Sequence, residues 1–231
     1  MRLDRMLSNA HAGTRSQVKK LVKEKRVKVN GVLAKTSSMQ IDEVNDEVTL
    51  DDIPVIYEEH MYLMLHKPAG YISATEGNVP TVMDLIYEDN NGLFPCGRLD
   101  KDTEGLLLIT NDGPLAHTLL SPKHHVEKEY YVEHALDMSE DDIARLQSGI
   151  SYNGESYKPA KVNMISPRSS TLTITEGKYH EIKFMFQALG DKVTYLKRLR
   201  MKNLVLDECL KPGEYRYLTE EEIADLKADE Q

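Results

Sequence analysis

Apolar residues along the chain switch between helical and alternating spacing, and that rhythm predicts the elements. Leu3, Met6 and Leu7 recur at helical spacing, and Gly13-Thr14 opens a second helix with Val18, Leu21 and Val22 on its apolar face. Lys25 to Val29 alternates basic and apolar residues into Asn30-Gly31, the signature of a tight hairpin turn. Residues 51–60 read as a linker, interrupted by Pro54 and flanked by acids. Residues 61–65 predict a strand running into the turn His66-Lys67-Pro68-Ala69-Gly70, and Thr81 caps a short helix over 82–86. Leu106, Leu107, Leu108 and Ile109 form an unbroken apolar run, read as a buried strand closed by Asn111-Asp112-Gly113. Leu115, Leu119 and Leu120 mark a helix that stops before Pro122, and His124 to Val132 leads into a strand. Ser139 caps a helix ended by Gly149, Asn153-Gly154 closes a hairpin, and 171–175 alternate as a strand. From Tyr179 helical spacing returns through Ile182, Met185, Phe186 and Leu189, with Gly190 as its stop. Beyond the turn Lys211-Pro212-Gly213, Thr219-x-x-Glu222 is the capping box of a last helix.

Many short strands, few helices and no βα alternation predict an α+β protein with a mostly antiparallel mixed sheet. The breaks divide it into a small domain over 1–52, a linker over 53–60 and a main domain over 61–231.

Charge sharpens this division. The whole chain is acidic, with 29 basic and 38 acidic residues and a net charge of −9. Residues 1–35 nevertheless hold ten Lys or Arg against Asp4 and Glu24, a net of +8, which leaves −17 for the remainder. A basic footprint carried on two helices and a hairpin points to a polyanion such as nucleic acid. The candidates for phosphate contact are Arg2, Arg5, Arg15, Lys19, Lys20, Lys23, Arg26 and Lys28. Cys96 and Cys209, the two cysteines, lie far apart without ligand spacing, so no disulfide framework or zinc site is expected and a reducing cytoplasm fits. His124 and His125 are adjacent, point to opposite faces of an extended chain and lack a third ligand, so they do not predict a metal. No apolar run approaches a membrane span, and Asp4 and Arg5 interrupt a signal-peptide reading.

Candidate chemistry concentrates in one loop. Arg98, Asp100 and Asp102 are crowded between Gly97 and Gly105, immediately before the buried strand. A carboxylate beside a cation at the mouth of a buried strand is one way to build a catalytic acid, and a solvated surface turn is another reading of the same residues. Residue types alone leave both open.

The run Gly97-Arg98-Leu99-Asp100, followed by Asp102-Thr103 and Gly105-Leu106, resembles the catalytic motif of RNA pseudouridine synthases. It is most similar to the branch that modifies ribosomal RNA and carries a small N-terminal RNA-binding module. The phrase Arg26-Val27-Lys28-Val29-Asn30-Gly31 resembles the signature of that module, of the αL type found in a small-subunit ribosomal protein. The resemblance implies that Asp100 is the catalytic residue and that Asp102 has a supporting role, bonding the loop backbone beside Thr103. Arg98 would fill the space a flipped base vacates or hold a phosphate. Lys128-x-Tyr130 resembles the second motif, which implies that Tyr130 lies against the target uracil and puts Lys128 with the substrate-binding residues. Glu176 to Lys183 resembles the third, whose helix supplies a basic partner to the aspartate, here Lys183, with Ile182 packed near the base. Phe184 departs from the pattern, since a second basic residue is frequent there in relatives. The family has a Lys-Pro-x-Gly turn near its cleft, which makes Lys67 a candidate substrate contact, while Pro68 and Gly70 alone also explain the turn.

The implied reaction converts uridine in ribosomal RNA to pseudouridine, with no cofactor and no metal. Leu204-x-Leu206 and Leu210 to Tyr215 look more like the small-subunit enzymes, which act on uridine 516 of 16S rRNA, than the 23S enzymes. The expected partner is small-subunit rRNA, bare or in an assembly particle, met by a cytoplasmic monomer that does not engage membranes. Two other classes compete. A non-catalytic RNA-binding assembly factor would not need Asp100, Tyr130 and Lys183 together. A glycosidase or nuclease would need a second carboxylate or a metal cluster at suitable spacing.

Overall fold

The computed structural model describes residues 1–231 apart from 11, 44, 56–59, 89–91 and 229–231. Its described residues form two compact units, Met1–His60 and Met61–Gln231.

The first unit opens with α1 (Leu3–Asn9) and α2 (Arg15–Lys23). The Thr14 side chain accepts the Gln17 N–H while Gln17 returns a bond to the Thr14 N–H, a reciprocal cap that fixes where α2 begins. Strands β1 (Val27–Val29), β2 (Val32–Leu33), β3 (Val48–Leu50) and β4 (Ile53–Pro54) form an antiparallel sheet in the order β2-β1-β3-β4. Asn30 and Gly31 both have positive φ, 50° and 76°, as a two-residue turn between β1 and β2 requires. Leu3, Met6, Leu7, Val18, Val22, Val27 and Val48 close the core. Ile53–Pro54 was expected to lie in the linker and instead pairs with Thr49 and Leu50. Proline is tolerated there because β4 is an edge strand and needs no inward N–H at that residue. Val55 continues this pairing, its N–H donating to Val48 O at 2.8 Å, and 56–59 of the expected linker lie outside the described residues.

In the second unit β5 (Tyr62–Lys67), β6 (Phe94–Cys96) and β7 (Glu104–Thr110) lead to α3 (Gly113–Leu120). Next come β8 (Lys128–His134), α4 (Glu140–Ser148), β9 (Ile150–Tyr152), β10 (Glu155–Tyr157), β11 (Lys161–Ser166) and β12 (Ser169–Ile174). The chain ends with α5 (Glu181–Ala188), β13 (Val193–Met201), β14 (Leu204–Val205), β15 (Tyr215–Tyr217) and α6 (Glu220–Lys227). A short 3-10 turn over Val82–Leu85 stands where a helix was predicted. Another, Pro122–His124, takes His124 out of the extended conformation expected of it.

The main sheet runs β11-β12-β8-β13-β7-β5-β15, with β14 on β13 and β6 on β7. Its pairings are antiparallel except β13 with β7, which is parallel through Lys197–Glu104 and Arg198–Gly105. The unbroken apolar run of β7 follows from this placement. Leu107 and Ile109 enter one core with Leu63, Leu65, Tyr130, Val132, Ile182 and Phe186, while Leu106 and Leu108 enter a second with Tyr62, Met64, Leu115 and Leu119. A strand covered on both faces has no polar side to display.

Gly105 lets β7 meet β13. Its φ is +107°, and a Cβ there would collide with the N, C and O atoms of Arg198. Lys67, at the end of β5, is fully buried, and its ammonium donates to the carbonyls of Thr103 at 2.7 Å and Pro68 at 3.0 Å. Gly70 N–H donates to Lys101 O at 2.7 Å, so the turn after β5 binds the loop that precedes β7.

Two stability predictions follow from these contacts. Gly105→Ala combines a backbone clash with a positive φ and should destabilise the fold by at least roughly 3 kcal/mol in denaturant titration. Burial holds the Lys67 ammonium down to about 8, while the unfolded chain keeps that proton to its ordinary 10.5. Between these values the unfolded state binds more protons, so the stability of the wild type relative to Lys67→Met should rise from pH 8 to 10.5, by at most about 3 kcal/mol. A gap that stays flat across that window would contradict the assignment.

Candidate active site

The loop between β6 and β7 is fixed before its carboxylates are considered. Ser73 Oγ donates to Leu99 O and accepts from Leu99 N–H, both at 3.0 Å, and Leu99 is buried. Thr103 N–H bonds Asp100 O at 3.1 Å to close a turn. Lys67 and Gly70 then hold the carbonyls of Thr103 and Lys101. Asp100 is thus displayed from a loop pinned at both ends.

Helix α5 delivers the cation. Lys183 Nζ lies 2.8 Å from Asp100 Oδ2 and 2.6 Å from Asp102 Oδ1, so one ammonium bridges two carboxylates. Burial alone would lower the Lys183 ammonium, but its bonds to Asp100 and Asp102 outweigh it and hold the group above its usual range. Burial opposes the charge of Asp102, yet Lys183 draws its carboxyl below the ordinary value. The side chain of Asp102 is 73% exposed and that of Asp100 24%, so Asp100 is the more enclosed partner. Asp102 combines this shared lysine with a bond from the loop backbone, the N–H of its own residue, which keeps the expected contact to the loop and adds the ion pair to it.

These groups border a pocket of about 310 Å³, whose lining includes Arg98, Asp100, Lys128, Tyr130, Ile182 and Lys183. The structure therefore gathers six of the seven residues expected at the site. Tyr130, from β8, is buried beside Arg198, and burial, only partly opposed by that guanidinium, raises its phenol. Lys128 donates to Val126 O at 3.0 Å, and burial followed by repulsion from Arg198 pulls its ammonium down. Arg98 is exposed at the rim. Lys67 is the exception: it sits beneath the loop as an anchor, its ammonium occupied by backbone carbonyls, and does not line the pocket.

Three further residues of the pocket escaped sequence reading. Arg198 is buried, donates through Nε to Leu106 O at 2.7 Å, and leaves Nη2 without a partner. It was not singled out in the sequence, although its spacing from Leu196 puts both on the inward face of β13. Glu181 accepts the Lys178 N–H at 2.8 Å, and burial pushes its carboxyl up to about 7. A glutamate in a first helical turn looks like an exposed complement to the helix dipole, which conceals its burial. His180 was read as helical, but it precedes α5 in the left-handed region, at φ 51°, with Nε2 3.5 Å from Asp100 Oδ1.

In the first unit, acids from later in the chain neutralise part of the basic footprint. Arg26 pairs with Asp51 at 2.5 Å, Lys28 pairs with Asp52, and Arg2 pairs with Asp4 at 2.6 Å. Lys20 has Glu24 at 3.8 Å. Among the described residues Arg5, Arg15, Lys19 and Lys23 are exposed with no ion pair, as are Lys25 and Lys35 at the two ends of the hairpin, so of the eight candidates the free ones lie on the helices.

Comparison with known proteins agrees with this geometry. The RNA pseudouridylate synthase family matches residues 61–188, and the S4 domain matches residues 1–48. The chain is 48% identical to the uncharacterized RNA pseudouridine synthase YtzG of Bacillus subtilis, over 96% of this chain and 97% of that protein. It is 42% identical to ribosomal small subunit pseudouridine synthase A of Haemophilus influenzae, over 98% and 99% of the two chains. A crystal structure of a pseudouridylate synthase superposes with a TM-score of 0.70 at 41% identity, covering 98% of this chain and 99% of the other. With the family segment holding most of the pocket's lining and the S4 segment spanning the basic helices, the chain belongs to the RNA pseudouridylate synthase family: it is an RNA pseudouridine synthase with an N-terminal S4 RNA-binding domain.

Proposed function

We propose that the chain converts a uridine of small-subunit ribosomal RNA to pseudouridine, with Asp100 as the acting carboxylate. The observation that carries this reading is a carboxylate on the wall of a base-sized pocket, 2.8 Å from the ammonium of Lys183 and opposite a buried tyrosine. Relatives named ribosomal small subunit pseudouridine synthase A, at 42% identity over nearly the full length, support the choice of RNA. Uridine 516 of 16S rRNA is the target this reading selects.

The reaction is an isomerisation. The bond from C1′ of the ribose to N1 of uracil breaks, the base turns, C1′ bonds to C5, and the C5 proton leaves as N1 gains one. Breaking a glycosidic bond builds positive charge at C1′, which an ionised carboxylate stabilises or captures. Asp100 supplies that negative charge, and Lys183, 2.8 Å away, aims it. Before any of this the uridine must leave its stack, which costs a few kcal/mol in a duplex. Tyr130, Ile182 and Leu196 line the pocket that receives it, and the Tyr130 ring compensates part of the lost stacking. Arg98, exposed at the rim, is placed to hold a backbone phosphate or to fill the gap the base leaves. The free cations of α1 and α2 add affinity for phosphates without reading sequence.

Mapping pseudouridines in ribosomal RNA from a strain lacking the gene tests the target: one site in 16S rRNA should be lost, and loss of a 23S site instead would contradict the assignment. Lys183→Met should lower turnover by roughly 10²–10³-fold, since it removes the charge that orients Asp100. Replacing Arg15, Lys19 and Lys23 by Ala should weaken RNA binding and reduce the slope of log affinity against log salt by roughly 2–3. An unchanged slope would remove these helices from the interface.

A further inference from the structure

Beyond the pocket, its rim carries an aromatic surface that the isomerisation does not use. Tyr179 is 69% exposed, and its ring stacks on that of His180 at 3.7 Å and 20°. Behind the pair stands Phe184, 5.7 Å from His180 and 6.3 Å from Tyr179, which in turn stacks on Tyr152 at 5.8 Å and 26°. On its pocket side His180 reaches Asp100, with Nε2 3.5 Å from Oδ1. One face of the Tyr179 ring is covered by His180, and the other looks into solvent beside the mouth of the pocket.

This arrangement is held at a conformational expense. His180 sits at φ 51°, in a region that side-chain-bearing residues rarely adopt, and it makes no side-chain cap to α5. The segment is fastened on both sides, by Lys178 N–H to Glu181 Oε2 at 2.8 Å and by Lys178 Nζ to Ser156 O at 2.6 Å. Strain of this kind persists where the surroundings over-determine it, and it concentrates at ligand clamps. Here it presents a flat, uncovered ring next to the group proposed to carry the chemistry. Phe184 stands behind the stack and carries the aromatic surface on to Tyr152, so the platform offers π-faces rather than charge.

We propose that the outer face of Tyr179 is a second base-binding site, which stacks an unpaired nucleotide adjacent to the target uridine while that uridine occupies the pocket. The occupant is a nucleobase of the same single-stranded RNA, because the platform is continuous with the target pocket through His180 and because a stacking face accepts any base. The site would make the enzyme prefer targets whose neighbour is unstacked, a preference for local RNA conformation rather than for sequence. It rests on the reading of Asp100 and the pocket as the uridine site.

The test uses stem-loop RNAs in which 2-aminopurine replaces the nucleotide on the 5′ or the 3′ side of the target. Binding of the full-length Asp100→Asn protein should quench one of these two probes. Adding Tyr179→Ala to that protein should remove the quench, and Tyr179→Phe should retain it. In the otherwise native enzyme, Tyr179→Ala should lower kcat/KM roughly tenfold, inside the range that base–aromatic stacking spans, and an abasic nucleotide at the quenched position should lower it as much. Combining the two should lower it no further, as expected for one shared interaction. Equal quenching with and without the Tyr179 ring, or additive losses, would overturn the proposal. Tritium release from 5-tritiated uridine by the native protein reports on the parent reading separately: no release would sink the uridine pocket, while release without Tyr179-dependent quenching would sink the platform alone.

Discussion

Asp100 reaches the pocket because two strands approach more closely than side chains permit. Where β7 meets β13 in parallel, Gly105 lies against the backbone of Arg198, and any Cβ there would overlap it. This contact sets where the motif loop emerges from the sheet and brings β13 beside it, with Leu196 and Arg198 on the pocket wall. From the other side Lys67 clamps the same loop through the carbonyl of Thr103. A buried lysine whose ammonium is lowered to about 8 is an expensive clamp, retained where the geometry it enforces matters. The loop is therefore held by contacts independent of the ion pair, and Lys183 meets its carboxylate from α5.

The electrostatics of the pocket follow from unequal enclosure. Lys183 is shared between an enclosed and an exposed carboxylate, so charge removed from Asp102 is largely screened by water while charge removed from Asp100 is not. Below them Glu181, Lys128, Tyr130 and Arg198 form a buried polar layer, in which burial disfavours the charged forms of Glu181 and Lys128. Orphaned atoms in this layer, Glu181 Oε1 and Arg198 Nη2, are unusual in a folded interior and mark it as a place where stability is yielded to function.

The elements of the chain were largely legible because their signals are local. The Asn30-Gly31 and Asn153-Gly154 turns, the caps at Thr14, Ser139 and Thr219, and the run from Leu106 to Ile109 each state their conformation within a few residues. Most of the expected site gathers for a similar reason, since three short motifs name their own residues. What the sequence hid is long-range. Nothing near Lys67 says that the carbonyl of Thr103 will occupy it, and nothing near Arg198 says that its strand will run parallel to β7 and bury the guanidinium. Pairing of Ile53–Pro54 with β3 was obscured by a proline that an edge strand tolerates. The +8 balance of residues 1–35 overstated the hairpin, because Asp51 and Asp52 return in the fold to pair with Arg26 and Lys28.

The central claim is that Asp100, and not its neighbour two residues on, performs the chemistry, although both touch the same lysine. Tritium release from 5-tritiated uridine in 16S rRNA, compared between Asp100→Asn and Asp102→Asn, separates them most directly. Asn keeps the size of the side chain and removes its charge. The account predicts that Asp100→Asn still binds RNA but releases no tritium above background, while Asp102→Asn, mostly in water, loses less than about tenfold. Sustained release from Asp100→Asn, or a silent Asp102→Asn beside an active Asp100→Asn, would contradict it.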